Sequence, residues 1–268
     1  MQETVLITGA SSGFGQVIAR YLTQKGFSVW GTSRKAGTEM SGSDFKMIPM
    51  DVQNADSIRA AVKHIIDTDG RIDVLINNAG ISLVSPLEET PLATMQAVMD
   101  VNLYGVLRVC QAVIPTMRQQ KNGLIINISS IGGLMGLPFR GAYSASKFAL
   151  EGATESLSME MKPFGISVCM VEPGDFKTRI AQNRLRVDLA DNSPYGHIST
   201  MVEEVANMQM EKAASPELLG PAIYSIVRKE KPKLRYRVGS FMEKLSVLLK
   251  KVLPGRLFEK IILGYYHL

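Results

Sequence analysis

A single-domain α/β fold, a doubly wound parallel sheet of about seven strands with helices on both faces, follows from three features of this 268-residue sequence. Short β-branched runs alternate with longer amphipathic ones, the short runs are almost continuously apolar, and a glycine-rich turn joins the first run to the first helical stretch. Strands covered on both faces read as unbroken apolar runs, and βαβ crossovers place helices over both faces of a parallel sheet. The crossovers are expected to be right-handed. With 46% hydrophobic residues the chain can bury a full core, and its length suits one undivided domain.

In chain order, Thr4–Thr8, Ser28–Thr32, Phe45–Met50, Val74–Asn77, Gly123–Ser129, Ile166–Glu172 and Leu234–Val238 read as strands. Helical stretches separate them near 14–25, 54–68, 93–121, 143–162 and 215–229. No repeat or low-complexity linker interrupts the series, so 1–240 is expected to form one domain. Residues 178–213 break the rhythm, with Asp188, Asp191, Asn192, Ser193, Pro194 and Gly196 between two more helical pieces. Ligands bind outside the carboxyl ends of strands in open α/β sheets, so this stretch reads as a substrate lid or as a solvated connector. Beyond it, Phe241, Leu245, Leu248, Leu249 and Val252 fall at helical spacing with Lys244, Lys250 and Lys251 around them. Pro254-Gly255 breaks the pattern, which resumes at Leu257, Phe258, Ile261, Ile262 and Tyr265. An amphipathic extension over 241–268 is expected, packed on its own subunit or a partner; the rival reading lays it on anionic lipid.

Composition narrows the function classes. Cys110 and Cys169 lie in apolar stretches without CxxC or metal-type spacing, so they read as buried thiols in a reducing compartment, with no disulfide framework and no metal site. The N-terminus enters the first strand without a basic region or signal-peptide core, and nowhere do about 20 apolar residues follow one another, so a cytoplasmic protein without a transmembrane helix is expected. The net charge of +5 is a C-terminal property: residues 228–268 carry eleven Lys and Arg against three Asp and Glu. Those cations sit among Leu, Val, Ile and Phe in helical rhythm rather than in a recognition motif, so nucleic acid is not an expected partner.

Three local patterns carry chemistry. Thr8-Gly9-Ala10-Ser11-Ser12-Gly13-Phe14-Gly15 stands at the first strand-to-helix junction, ahead of Val17, Ile18, Ala19, Tyr21 and Leu22. Glycines there let the backbone approach a pyrophosphate, and the helix N-terminus offers unpaired amides, which points to a dinucleotide and a Rossmann-type sheet. A GxxxxGK[ST] sequence is absent, which disfavours an ATP- or GTP-hydrolysing loop. The second strand ends in Gly31-Thr32-Ser33-Arg34-Lys35, with Ser33 and Arg34 where an NAD-binding chain would place an acid on the ribose hydroxyls. Guanidinium pairs with phosphate, which favours NADP(H). Farther on, Tyr143 and Lys147 are spaced to share a helix face, and a phenol that titrates near ~10 needs such a positive neighbour to work at neutral pH.

With these motifs and Asn77-Asn78-Ala79-Gly80 in order, the chain resembles the compact short-chain dehydrogenase/reductase family over about residues 3–240. Gly133-Leu134-Met135-Gly136-Leu137-Pro138 and Ser146-Lys147-Phe148-Ala149-Leu150-Glu151-Gly152 look like the branch of steroid 17β-dehydrogenases and retinol dehydrogenases. The resemblance implies that Ser130 hydrogen-bonds the substrate oxygen, with its neighbour Ser129 the lesser candidate. It implies that Tyr143 is the proton donor and that Lys147 favours the phenolate and binds the nicotinamide ribose. Asn102 matches the helix-kink Asn whose carbonyl holds a water against the Lys. Gly9, Ser11, Ser12, Gly13, Phe14 and Gly15 match the pyrophosphate turn, with Phe14 in place of the usual Ile at a position that acts through its backbone. Asp51-Val52 matches the pair that meets the adenine, Asn78, Ala79 and Gly80 support the cofactor ribose, and Pro173, Gly174 and Thr178 match the segment around the nicotinamide carboxamide.

The implied chemistry is pro-S hydride transfer between NADP(H) and a hydroxyl/carbonyl pair on a hydrophobic substrate such as a steroid, retinoid or lipid. Met95, Met99, Met135, Leu137, Met201, Met208 and Met210 are candidates for an adaptable apolar pocket, or for ordinary packing. A homodimer or homotetramer through the helices at 93–121 and 143–162 is also implied. The different-class alternative is a non-catalytic NADP(H)-binding sensor or scaffold. An epimerase or dehydratase of related fold is disfavoured, because the chain has no room for a larger substrate domain.

Overall fold

All seven strands pair in parallel in the computed structural model, which describes residues 2–34, 44–177 and 184–268. The strands are β1 (Thr4–Ile7), β2 (Ser28–Ser33), β3 (Lys46–Pro49), β4 (Val74–Asn77), β5 (Gly123–Ile128), β6 (Ile166–Pro173) and β7 (Arg235–Val238), in the spatial order β3-β2-β1-β4-β5-β6-β7. Val5 of β1 lies between Val29 of β2 and Val74 of β4. The chain therefore starts mid-sheet, winds to one edge, then crosses back to build the other, which puts the topological switch between β1 and β4. Each expected strand is present, β4 with the expected ends and the others with ends that differ by at most one residue, as hydrogen-bonded boundaries commonly do.

The helices are α1 (Gly13–Gln24), α2 (Ala55–Asp69), α3 (Leu92–Met99), α4 (Val106–Gln120), α5 (Gly141–Met161), α6 (Gly196–Lys212), α7 (Leu219–Val227), α8 (Phe241–Val252) and α9 (Gly255–Tyr266). Successive strand residues face opposite sides. Leu6, Trp30, Leu75 and Ile125 meet α2, α4 and α5, while Val5, Ile7, Val29 and Ile76 meet α1 and α7. Each such side chain, fully buried, contributes about 1.5–3 kcal/mol before ordering costs. The stretch expected as one helix over 93–121 is interrupted by a π-helical turn at Asp100–Gly105. Leu92–Gln120 is by length and composition apolar enough to cross a membrane, but its most apolar window is 56% buried against the sheet, as a core helix is.

Residues 178–183 of the expected lid lie outside the described residues, and most of the remainder is α6. Helices α8 and α9 fold back on their own chain. Val247 and Phe258 bury Met135, and Tyr266 packs with Val202 and Val205 of α6. Ser240 and Glu243 form a capping box that starts α8, and the Glu243 carboxylate also accepts the Asp175 amide just beyond β6. The methionines divide: Met135 is in the tail cluster, Met95 packs with Leu83, Val98 and Ala142, and Met208 is exposed.

Candidate active site

Parallel strands share one carboxyl edge, and the glycine turn, Arg34, Asp51, Asn78, Ser130 and Pro173 all follow or end strands there. Gly9 and Gly13 have φ of 67° and 57°, the left-handed region that favours glycine. A Cβ on Gly15 would strike the Gly9 carbonyl and stand 2.6 Å from Asn78 Nδ2. Asn78 fixes this turn: its Nδ2 donates to Thr8 O and Gly9 O, both at 2.9 Å, while the Asn78 and Ala79 amides donate to Thr8 Oγ1 at 3.0 and 2.9 Å. Ser12 precedes α1 without a side-chain cap bond, and nothing lies within 4 Å of where a Gly13 Cβ would be. Uncapped amides beside open space fit a pyrophosphate.

The remaining cofactor candidates border that cradle. Ser33 ends β2 and Arg34 follows it, exposed. Val52 packs under Gly105, and the Asp51 carboxylate accepts the Gln53 amide at 3.0 Å. Gly174 donates its amide to Val238 O at 2.9 Å. Thr178 lies outside the described residues. The Phe14 ring does more than its backbone role implied, meeting Phe176 edge-on with centroids 5.3 Å apart and so linking the glycine turn to the segment after β6.

Opposite the cradle, a buried polar chain sets α5. Asn77 Nδ2 donates to Asn127 Oδ1 across β4 and β5, and Asn127 Nδ2 donates to Thr154 Oγ1 of α5, each at 2.9 Å. Asn102, fully buried in the π-helical turn, accepts the Ile81 amide at 2.8 Å and donates to Ile81 O at 2.9 Å and Ser146 Oγ at 3.0 Å. Ser146 in turn donates to Tyr143 O at 2.7 Å. The π turn thus ties the end of β4 to the helix bearing Tyr143 and Lys147, a common use of such bulges.

Ser130 leaves β5 and its hydroxyl reaches the Tyr143 phenol. Burial pushes that phenol up, the Ser130 hydrogen bond and the Arg140 charge oppose it, and burial prevails. Lys147 Nζ donates to Ile128 O at 2.9 Å and stands 6.0 Å from the Tyr143 ring centroid. Burial pulls Lys147 down to about 8, with Glu151 opposing. Lys147 therefore still carries its proton at neutral pH, and at Tyr143 burial prevails over the groups that favour the phenolate. Sequence reasoning missed Arg140 and Asp175, whose charges act on Tyr143, Arg184, whose charge acts on both of them, and Tyr265, whose phenol burial and the Asp175 charge push to about 12. Arg140 had a faint signal, three residues ahead of Tyr143; the others are remote in sequence and had none.

A hydroxyl pair beside a buried lysine, across from a dinucleotide cradle, suits proton and hydride exchange on a carbonyl. The short chain dehydrogenase family model matches residues 3–188. This chain belongs to the short-chain dehydrogenase/reductase family. It is 41% identical to a 3-ketodihydrosphingosine reductase from Bacteroides thetaiotaomicron over 98% of each chain. Human 17-beta-hydroxysteroid dehydrogenase type 1 is 34% identical, over 88% of this chain and 77% of that one. A short-chain dehydrogenase structure from Streptomyces avermitilis matches with TM-score 0.79 and 30% identity, over 98% of each chain. As a short-chain dehydrogenase/reductase the chain is an oxidoreductase of carbonyl and hydroxyl groups, on the parallel sheet that the strand pattern predicts.

Proposed function

We propose that the chain transfers a hydride between NADP(H) and a carbonyl/hydroxyl pair on a lipid-like substrate. The observation that carries this is the convergence of the Ser130 hydroxyl, the Tyr143 phenol and buried Lys147 at the carboxyl end of β5, on the same sheet edge as the glycine cradle. Bound NADP(H) supplies the hydride in reduction and accepts it in oxidation. Ser130 and Tyr143 hold the substrate oxygen, and Tyr143 gives it a proton or takes one back. Lys147 holds cofactor hydroxyls, and Asn102 keeps the Tyr143 helix aligned. Arg34 and Ser33 pair with a 2′-phosphate, which selects NADP(H) over NAD(H). The 41% identical ketodihydrosphingosine reductase supports a lipid-like substrate, as does the apolar wall that α8 and α9 build with Met135 and Leu137.

Residues 178–213 act as the lid, and 241–268 as an extension whose outer face rests on anionic lipid. The exposed Tyr104, Phe148 and Met159 on the 93–121 and 143–162 helices serve a homodimer.

Tyr143→Phe tests the reading. NADPH oxidation with a panel of long-chain ketones is expected to fall by about 10²–10⁴-fold, while NADPH titration by fluorescence changes little. Undiminished turnover in the variant overturns the assignment of Tyr143. NADPH binding without oxidation on any carbonyl in the wild-type chain replaces the enzyme reading with that of a sensor.

A further inference from the structure

Separate parts of the fold bring charged groups to Tyr143 and to one another. Arg140 directly precedes α5, where its carbonyl accepts the Ser144 amide at 2.8 Å. Asp175 follows β6, and Arg184 stands beside Leu185, whose amide bonds Ser82 O at 2.9 Å. The charges of Arg140 and Asp175 both act on Tyr143, and those of Arg140, Asp175 and Arg184 act on one another.

The two guanidiniums are poorly satisfied. The Arg184 side chain is 3% exposed. Among the described residues its Nε has no partner, its Nη1 stays 3.7 Å from Glu203 Oε1, and its Nη2 lies 3.8 Å from Met210 Sδ. Arg140 Nε is likewise buried without a partner. Guanidinium does not give up its proton in proteins, so Arg184, buried with an unpartnered Nε and facing the charge of Arg140, calls for an acceptor. The nearby carboxylates are divided or engaged: Glu203 splits one oxygen between Arg184 at 3.7 Å and Arg186 at 3.6 Å, and Glu243 accepts the Asp175 and Ser240 amides. Burial favours the neutral form of Asp175.

We infer that Arg140 and Arg184 form a receptor for an anionic group, a carboxylate or phosphate, carried by the substrate near the carbonyl that Tyr143 and Ser130 address. The inference rests on the oxidoreductase reading for the carbonyl, but the receptor is testable without turnover. The anion enters the fork of donors that the fold leaves open, and the substrate's apolar part runs along the Met135, Phe139 and Tyr266 wall.

Competition binding to the NADP(H)-loaded protein with decanoate, decyl phosphate, methyl decanoate and decylammonium reads the receptor directly. One or both anions are expected to bind at least about tenfold more tightly than the ester, the scale of one charge-assisted hydrogen bond. The better anion identifies the head group. Arg184→Met and Arg140→Met each erase that preference, and Arg184→Lys restores part of it, which separates lost charge from misfolding. In turnover, the ratio of kcat/KM for 4-oxodecanoate to that for its methyl ester falls in step. Equal binding of all four probes, or preference for decylammonium, overturns the receptor. Anion preference that vanishes in Arg184→Met without turnover of any ketone upholds the receptor and overturns the oxidoreductase reading.

Discussion

Lys147 is 6% exposed, and burial pulls it from 10.5 to about 8 while Glu151, one helical turn on, holds it partly up. Because the folded chain releases this proton more readily than the unfolded one, the unfolded state binds more protons between about pH 8 and 10.5. Stability therefore rises with pH through that window, and the full cost of burying the ammonium, about 3 kcal/mol, is present below it. Lys147→Met removes that cost but orphans the Ile128 carbonyl, worth about 1–2 kcal/mol. The cofactor-free variant is thus expected to be more stable than the parent at pH 7 by about 1–2 kcal/mol in urea unfolding, with the gap closing toward pH 10. A variant less stable at pH 7 shows that the lysine's charge is already compensated. Stability given up at such a residue is the usual signature of a group kept for chemistry.

At the level of the element, the β1–α1 turn separates two roles of glycine. A Gly15→Ala methyl collides with the Gly9 carbonyl and Asn78, backbone and an anchored amide that cannot yield, so a loss of about 1–3 kcal/mol is expected in urea unfolding. Gly13→Ala meets no atom within 4 Å and carries only the left-handed backbone penalty, about 1–2 kcal/mol. Its methyl occupies the open space of the cradle, so NADPH affinity measured by fluorescence titration falls more than stability does. Retained affinity in Gly13→Ala would place the pyrophosphate elsewhere. This turn was legible in the sequence because its glycines lie within eight residues at one strand-to-helix junction, although Asn78, which fixes it, comes some seventy residues later. The strands were legible for a similar reason: residues such as Val74–Asn77 are buried on both faces and show it in composition alone. The π turn was legible only through the resemblance, which marked Asn102 as a helix-kink residue, since no helical periodicity encodes its bonds to Ile81 and Ser146. Arg184 was not legible, because its meaning comes from Arg140, forty-four positions earlier.

Across the whole molecule, the C-terminal hairpin shows how one amphipathic pattern can serve two faces. Val247, Leu249, Phe258, Ile262 and Tyr266 turn inward and pack with Met135, Leu137 and α6, while Phe241, Met242, Leu248, Val252, Leu257 and Ile261 remain exposed by 45% or more. Lys244, Lys250, Lys251, Arg256 and Lys260 are exposed around them, and Glu243 is engaged at the Asp175 amide. Cations framing exposed apolar side chains match an anionic bilayer, where each Lys or Arg near the surface adds about 1 kcal/mol beyond the apolar burial. A site whose wall is the inner side of the same hairpin could then take a lipid-like substrate directly from the bilayer. In co-sedimentation, the full chain is expected to pellet with vesicles containing phosphatidylserine, to pellet less with phosphatidylcholine alone, and to be released by high salt. Leu248→Glu combined with Leu257→Glu, both on the outer face, removes pelleting while NADPH titration reports an intact fold. Equal pelleting of parent and variant overturns lipid docking. If instead the parent never pellets, and the substitutions convert a dimer to a monomer in sedimentation equilibrium, the face belongs to a second copy of the chain.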